Sequence, residues 1–73
     1  MFGRQPGKLL DVRAVDIHGS LFYDLVFALD ASPDQAQSSR IGQESVYDDP
    51  RPGDAAMLHL VMGVVTKVEK RTE

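Results

Sequence analysis

The sequence predicts an all-β domain, a small five-stranded antiparallel barrel with at most one short helical turn. The longest apolar run, residues 53–70, alternates like an extended chain, because even positions from Leu58 to Val68 share one face. β-Branched residues follow Gly63, where a helix would cost side-chain rotamer freedom. A chain of 73 residues also has the size of one domain, so we expect a single domain over residues 1–73.

The first half of the chain predicts a hairpin. Residues 1–7 contain two glycines and a proline and are expected to be a loose lead-in. A first strand over 8–17 changes its apolar face near Ala14, which predicts a β-bulge or bend there. A second strand over 21–30 follows a short turn that contains Gly19.

The second half predicts three more strands. The polar segment 31–40 is expected to hold one helical turn over 33–37, because Ser32 and Pro33 fit the start of a helix. Strands over 41–47, 55–61 and 64–70 follow, the last two joined by a reversal at Met62 and Gly63, and 71–73 is a tail. The five strands are expected to form a partly closed antiparallel meander. Two barrel types remain open, SH3-like and oligonucleotide/oligosaccharide-binding (OB)-like.

Composition restricts the chemistry. The chain has no cysteine, which excludes disulfides, thiolate catalysis and thiolate zinc sites. Its net charge is −3, and the acids concentrate in residues 16–54, which disfavours a phosphate-binding surface over most of the domain. There is no apolar segment of the ~20 residues that span a bilayer, and residues 1–8 do not resemble a signal peptide. These features predict a cytoplasmic protein without a membrane partner.

The sequence contains no P-loop, nucleophile elbow or zinc-protease motif, so it favours a non-enzymatic role with no catalytic residue. Asp54 follows Gly53 and is expected to hydrogen-bond the turn backbone. The neighbouring acids Asp48 and Asp49 lack the order of a calcium loop and predict a solvated turn. No metal or cofactor is predicted.

The leading functional hypothesis is an assembly or interaction module that forms homo-oligomers, most simply a two-fold dimer. Two strands carry apolar residues on the face that should be exposed, and monomers seldom expose such patches. A partner would also supply burial that so small a domain lacks. The predicted interface residues are Phe22, Val26, Met57, His59 and Val61.

The alternative is a single-stranded nucleic-acid-binding protein of the OB type. Such proteins follow the phosphate backbone with cations and stack bases on aromatic side chains. The cations lie near both ends of the chain, which adjoin in many small barrels, whereas the acidic middle opposes this function. The predicted contacts are Lys8, Arg13, Phe22, Tyr47, Lys67, Lys70 and Arg71.

Overall fold

The computed structural model describes residues 2–71, with side chains described from Gly3 onward. It contains five strands and one 3₁₀ turn, which confirms the all-β class. The strands are β1 (Phe2–Ile17), β2 (Ser20–Leu29), β3 (Gln37–Gly42), β4 (Ala55–Val61) and β5 (Val64–Lys70), with the 3₁₀ turn at Gln43–Ser45. Among the described residues, no helix combines the length and apolar character needed to cross a bilayer.

The strands form one antiparallel sheet in the order β3-β2-β1-β4-β5. Three consecutive strands are followed by a fourth that returns beside the first, which is a Greek key rather than the expected meander. The sheet is not closed into a barrel. One parallel bridge, between Val46 and Val68, links the segment after β3 to β5.

The predicted lead-in was wrong, because β1 already begins at Phe2 and its first half pairs with β4. Pro6 is tolerated there because its carbonyl accepts the Asp30 N–H. Its backbone therefore faces the end of β2, and the N–H that proline lacks is not needed for pairing with β4. Gly7 is needed because a side chain at this position would collide with β2 and with Leu58. Met1 lies outside the described residues.

The predicted bulge in β1 exists but lies earlier, between Leu9 and Asp11. Leu9 is buried, and its backbone pairs with Gly53 and Asp54 at the end of the connection into β4. Leu10 is therefore the extra residue and is 45% exposed. A second register shift makes Thr66 of β5 the extra residue, because Leu60 pairs with Val65 and His59 with Lys67.

The β1–β2 and β4–β5 hairpins each turn through two residues with positive φ, which are His18-Gly19 and Met62-Gly63. This backbone is that of a type I′ turn, whose twist matches the flanking strands. The predicted reversal at Met62-Gly63 is confirmed, and the predicted bounds of the last two strands agree with β4 and β5.

The predicted third strand was displaced, since β3 ends at Gly42 and the 3₁₀ turn follows it. In place of the helical turn expected over 33–37, residues 33–34 form a turn, 35–36 have no regular structure and Gln37 begins β3. The polar residues before Ile41 form a strand because they pair with the side of β2 that does not face β1. The pairs run from Phe27–Gln37 to Phe22–Gly42. Tertiary pairing here overrides a polar, turn-like sequence.

The core lies on one face of the curved sheet and receives side chains from every strand. Each fully buried aliphatic or aromatic side chain contributes about 1.5–3 kcal/mol relative to exposure. The core residues are Leu9, Leu25, Phe27, Ile41, Ala56, Leu58, Leu60, Val65 and Val68. The opposite side of the sheet is called the outer face below.

Candidate interaction surface

Half of β1 has a neighbouring strand on one side alone. β1 pairs with β2 over residues 7–17 but with β4 only over 2–8, so no described strand adjoins its other side over 10–17. This side of residues 10–17 is called the open edge. An unpaired edge presents backbone N–H and C=O groups that another strand can bind.

The ladder identifies which groups point to the open edge. Ile17 and Ser20 flank the two-residue turn and exchange hydrogen bonds, and bonded pairs then alternate along an antiparallel ladder. Ala14 and Asp16 therefore direct their N–H and C=O groups to the open edge. Val12 does the same, and its N–H is capped by the carboxylate of its neighbour Asp11 at 3.0 Å.

Apolar side chains border the open edge on the outer face. Val15 of β1 lies opposite Phe22 of β2, and both are half-buried, as is Ile17. Ala14 and Asp16 point to the other side, and both are exposed.

A row of charges crosses the outer face two residue pairs further along the strands. Asp24 of β2 lies between Arg13 of β1 and Arg40 of β3. Arg40 donates two hydrogen bonds to Asp24, from Nε at 2.7 Å and from Nη2 at 2.9 Å. These bonds, then the charges of Arg40 and Arg13, lower the pKa of Asp24. Since Asp24 is occupied by Arg40, Arg13 is the cation of this row that can bind an external anion.

The connection into β4 is organised around Asp54. Its Oδ2 accepts the Tyr47 hydroxyl at 2.7 Å and the Arg51 N–H at 3.1 Å, which confirms the expected bond to the turn backbone. The Tyr47 hydrogen bond lowers the pKa of Asp54. Burial, then the bond to Asp54, raises the pKa of Tyr47. Tyr47 also packs against the core, so it serves the fold and is not a free surface for base stacking.

The outer face of β4 and β5 carries a second charged row. His59 Nε2 lies 2.6 Å from Glu69 Oε1. This bond lowers the pKa of Glu69, so the carboxylate is ionised at neutral pH and His59 is the donor. Arg4 and Lys67 lie opposite His59 on the two neighbouring strands, and both are exposed.

The predicted interface residues share the outer face but form two groups. Phe22 and Val26 lie on β2, whereas Met57, His59 and Val61 lie on β4, on the other side of β1. Phe22 is level with position 15 of β1 and Val61 with position 2, so the groups lie toward opposite ends of that strand. All except Val61 are half-buried within their own chain.

The predicted nucleic-acid contacts occupy three separate places. Tyr47, Lys67 and Lys70 line a groove of about 350 Å³ between the 3₁₀ turn and β5, together with Glu44 and Glu69. Lys67 borders this groove from the outer face of β5, where it lies opposite His59. Arg71 donates to Asp30 at 3.0 Å.

The remaining predicted contacts, Lys8, Arg13 and Phe22, lie on the outer face of β1 and β2. Arg40 was not among the predicted site residues, because the polar segment around it has no strand pattern.

The fold separates the charges that the sequence appears to mix. Most acids of residues 16–54 lie in turns and connections, while the outer face of the strands carries five cations and three acids, a difference of +2. The cations are Arg4, Lys8, Arg13, Arg40 and Lys67, and the acids are Asp11, Asp24 and Glu69.

Within residues 2–71, no three or more histidine and carboxylate side chains gather as a metal site would require. No family model, curated protein or solved structure matches this chain. The surfaces that the described geometry offers to a partner are the open edge of β1, the outer face and the end of the β4–β5 hairpin.

Proposed function

We propose that this chain is a non-enzymatic assembly module that forms a two-fold homodimer through the open edge of β1. The observation that carries the proposal is the unpaired backbone of residues 10–17 beside the half-buried Val15 and Phe22. Antiparallel addition of a second copy would satisfy these backbone groups and cover the two side chains.

The side chains select a register for this pairing. If the two-fold axis passes at Val15, Ala14 pairs with the partner's Asp16 and the two pairs exchange about four hydrogen bonds. Val15 then faces the partner's Val15, and the two Phe22 rings extend the same row on the outer face. A register centred on Arg13 would place two guanidinium groups opposite each other, and like charges in that position destabilise a sheet.

This dimer uses part of the predicted interface. Phe22 lies in the shared row and Val26 lies four residues further along β2, whereas Met57, His59 and Val61 lie outside this interface. A small domain has little stability from its own core, and a dimer would add to it.

The test is sedimentation equilibrium of the full chain and of Ala14→Pro. The Ala14 N–H points to the open edge, so proline there removes a donor to the partner and leaves the β1–β2 ladder intact. We expect a dimer for the unmodified chain and a folded monomer for Ala14→Pro, with an unchanged circular dichroism spectrum. Val15→Pro is the control. The Val15 N–H faces β2, so the loss of this donor should unfold the hairpin.

An unmodified chain that sediments as a monomer of 8.0 kDa at high micromolar concentration would refute the dimer. A dimer that survives in Ala14→Pro would refute this edge as its interface.

The strand order also supports one of the two predicted barrel types. The Greek-key order, with the segment after β3 approaching β5 in parallel, supports the OB type over the SH3-like type.

Single-stranded nucleic-acid binding is the second candidate, favoured by the +2 charge of the outer face in a chain of net charge −3. Arg13 and Phe22 lie close together there, one suited to a phosphate and one to a base. Labelled mixed oligonucleotides should bind at low salt and dissociate as salt rises. Arg13→Gln should weaken binding and Lys70→Gln, off this face, should not. No binding at low salt removes this candidate.

A further inference from the structure

Exposed apolar side chains concentrate at the turn between β4 and β5. Val61, Met62 and Val64 are 41%, 74% and 61% exposed. Together with Gly63 they are called the hairpin tip. Val61 and Val64 lie opposite each other on the outer face, and Met62 occupies the turn itself. The tip lies toward the end of β1 opposite the open edge, so it is independent of the proposed dimer.

Met62 is an unexpected residue for this turn. Its φ is +52°, a conformation that asparagine, aspartate and glycine adopt far more readily than methionine. Asparagine at position 62 would relieve that strain and make the tip more polar. A large apolar side chain is thus displayed where both backbone conformation and solvation disfavour it.

Cations lie directly behind the tip. Arg4 and Lys67 flank His59, which precedes Val61 by two residues, about 7 Å along β4. Glu69, the acid of this row, is already hydrogen-bonded to His59. An apolar end backed by cations is complementary to a membrane surface, where apolar groups enter the acyl boundary and cations meet anionic headgroups.

We infer that the hairpin tip docks on an anionic lipid surface, with Val61, Met62 and Val64 inserted and Arg4 and Lys67 at the headgroups. The small area of the tip favours lipid over protein. Three partly exposed side chains offer a fraction of the roughly 800 Å² that each partner of a stable protein complex buries. The expectation of no membrane partner came from the absence of a spanning segment, which a peripheral tip does not need.

The test is co-sedimentation of the full chain with phosphatidylcholine vesicles, with and without phosphatidylserine. We expect binding that requires phosphatidylserine and weakens with salt. Met62→Asn keeps the turn and should lower affinity about tenfold, and Lys67→Gln should lower it about fivefold. Ala36→Asn, which changes an exposed apolar residue in the connection between β2 and β3, outside both the tip and the open edge, should leave binding unchanged.

Three results would overturn the inference. One is equal binding to vesicles with and without phosphatidylserine, and another is undiminished binding by folded Met62→Asn. The third is the absence of vesicle binding by the unmodified chain, together with a change in the sedimentation of the vesicle-free protein when Met62 is replaced by asparagine. That result would show that the tip binds a second copy of the chain.

Discussion

Gly7 of β1 lies so close to Ala28 of β2 that a Cβ on Gly7 would sit 2.7 Å from the Ala28 carbonyl oxygen. The same Cβ would lie 2.8 Å from a methyl group of the buried Leu58. The passage of β1 between β2 and β4 therefore depends on a residue without a side chain.

Gly7→Ala should lower the free energy of unfolding by about 1–3 kcal/mol, because neither the Ala28 backbone nor the packed core can move aside cheaply. Gly42→Ala is the matched control. The three atoms nearest to a Cβ there all belong to the carboxylate end of the exposed Glu44 side chain, which can rotate away. Urea denaturation should show a clear loss for the first variant and little for the second. Equal losses would contradict this account.

The last two strands could be predicted from sequence because their signals are local. Alternating apolar residues predict β4, and Gly63 followed by β-branched residues predicts the turn and the start of β5. Glycine at position 63 has φ +82°, as the predicted reversal required.

The open edge could not be predicted, because it results from long-range pairing. Gly3, Pro6 and Gly7 have the composition of a loop, and they become a strand only because β4 returns beside them. That return leaves residues 10–17 without a second neighbour. The place of β3 likewise depended on β2 offering an edge to a polar segment. Sequence alternation indicated apolar outer residues such as Phe22 but not which strand edges remained unpaired.

Gly63→Val should destabilise the fold through backbone conformation and not through collision. A Cβ at this position would meet nothing within 4 Å, but φ of +82° is strained for any side chain and most for a β-branched one. We expect a loss of about 1–2 kcal/mol in urea denaturation. Gly63→Asn should lose less, since asparagine tolerates this region. Similar losses for the two variants would argue that side-chain conformation is unimportant here.

Stability should fall in acid because three carboxylates have lowered pKa values in the folded state. Arg40 lowers the pKa of Asp24, Tyr47 that of Asp54, and His59 that of Glu69. A lowered folded pKa stabilises the protein above the ordinary values of 3.8 and 4.5 and stops doing so as pH falls through the folded pKa. Urea midpoints should therefore be constant near neutrality and decline below about pH 4.5. Asp24→Asn should make that decline shallower, and an unchanged slope would show that its ion pair with Arg40 adds nothing.

Tyr47 should give the opposite dependence at alkaline pH. Burial and the bond to Asp54 raise its pKa above the ordinary value of 10.0, so the folded state retains a proton that the unfolded state loses. The stabilisation is complete below pH 10 and declines as pH rises above it. Tyr47→Phe should remove this alkaline decline and, through loss of the hydrogen bond to Asp54, lower the melting temperature at neutral pH by about 4–8 °C. Thermal unfolding at neutral and alkaline pH measures both effects. An alkaline decline that persists in Tyr47→Phe would show that the decline comes from another group and would leave the Tyr47–Asp54 bond as a local feature of the turn.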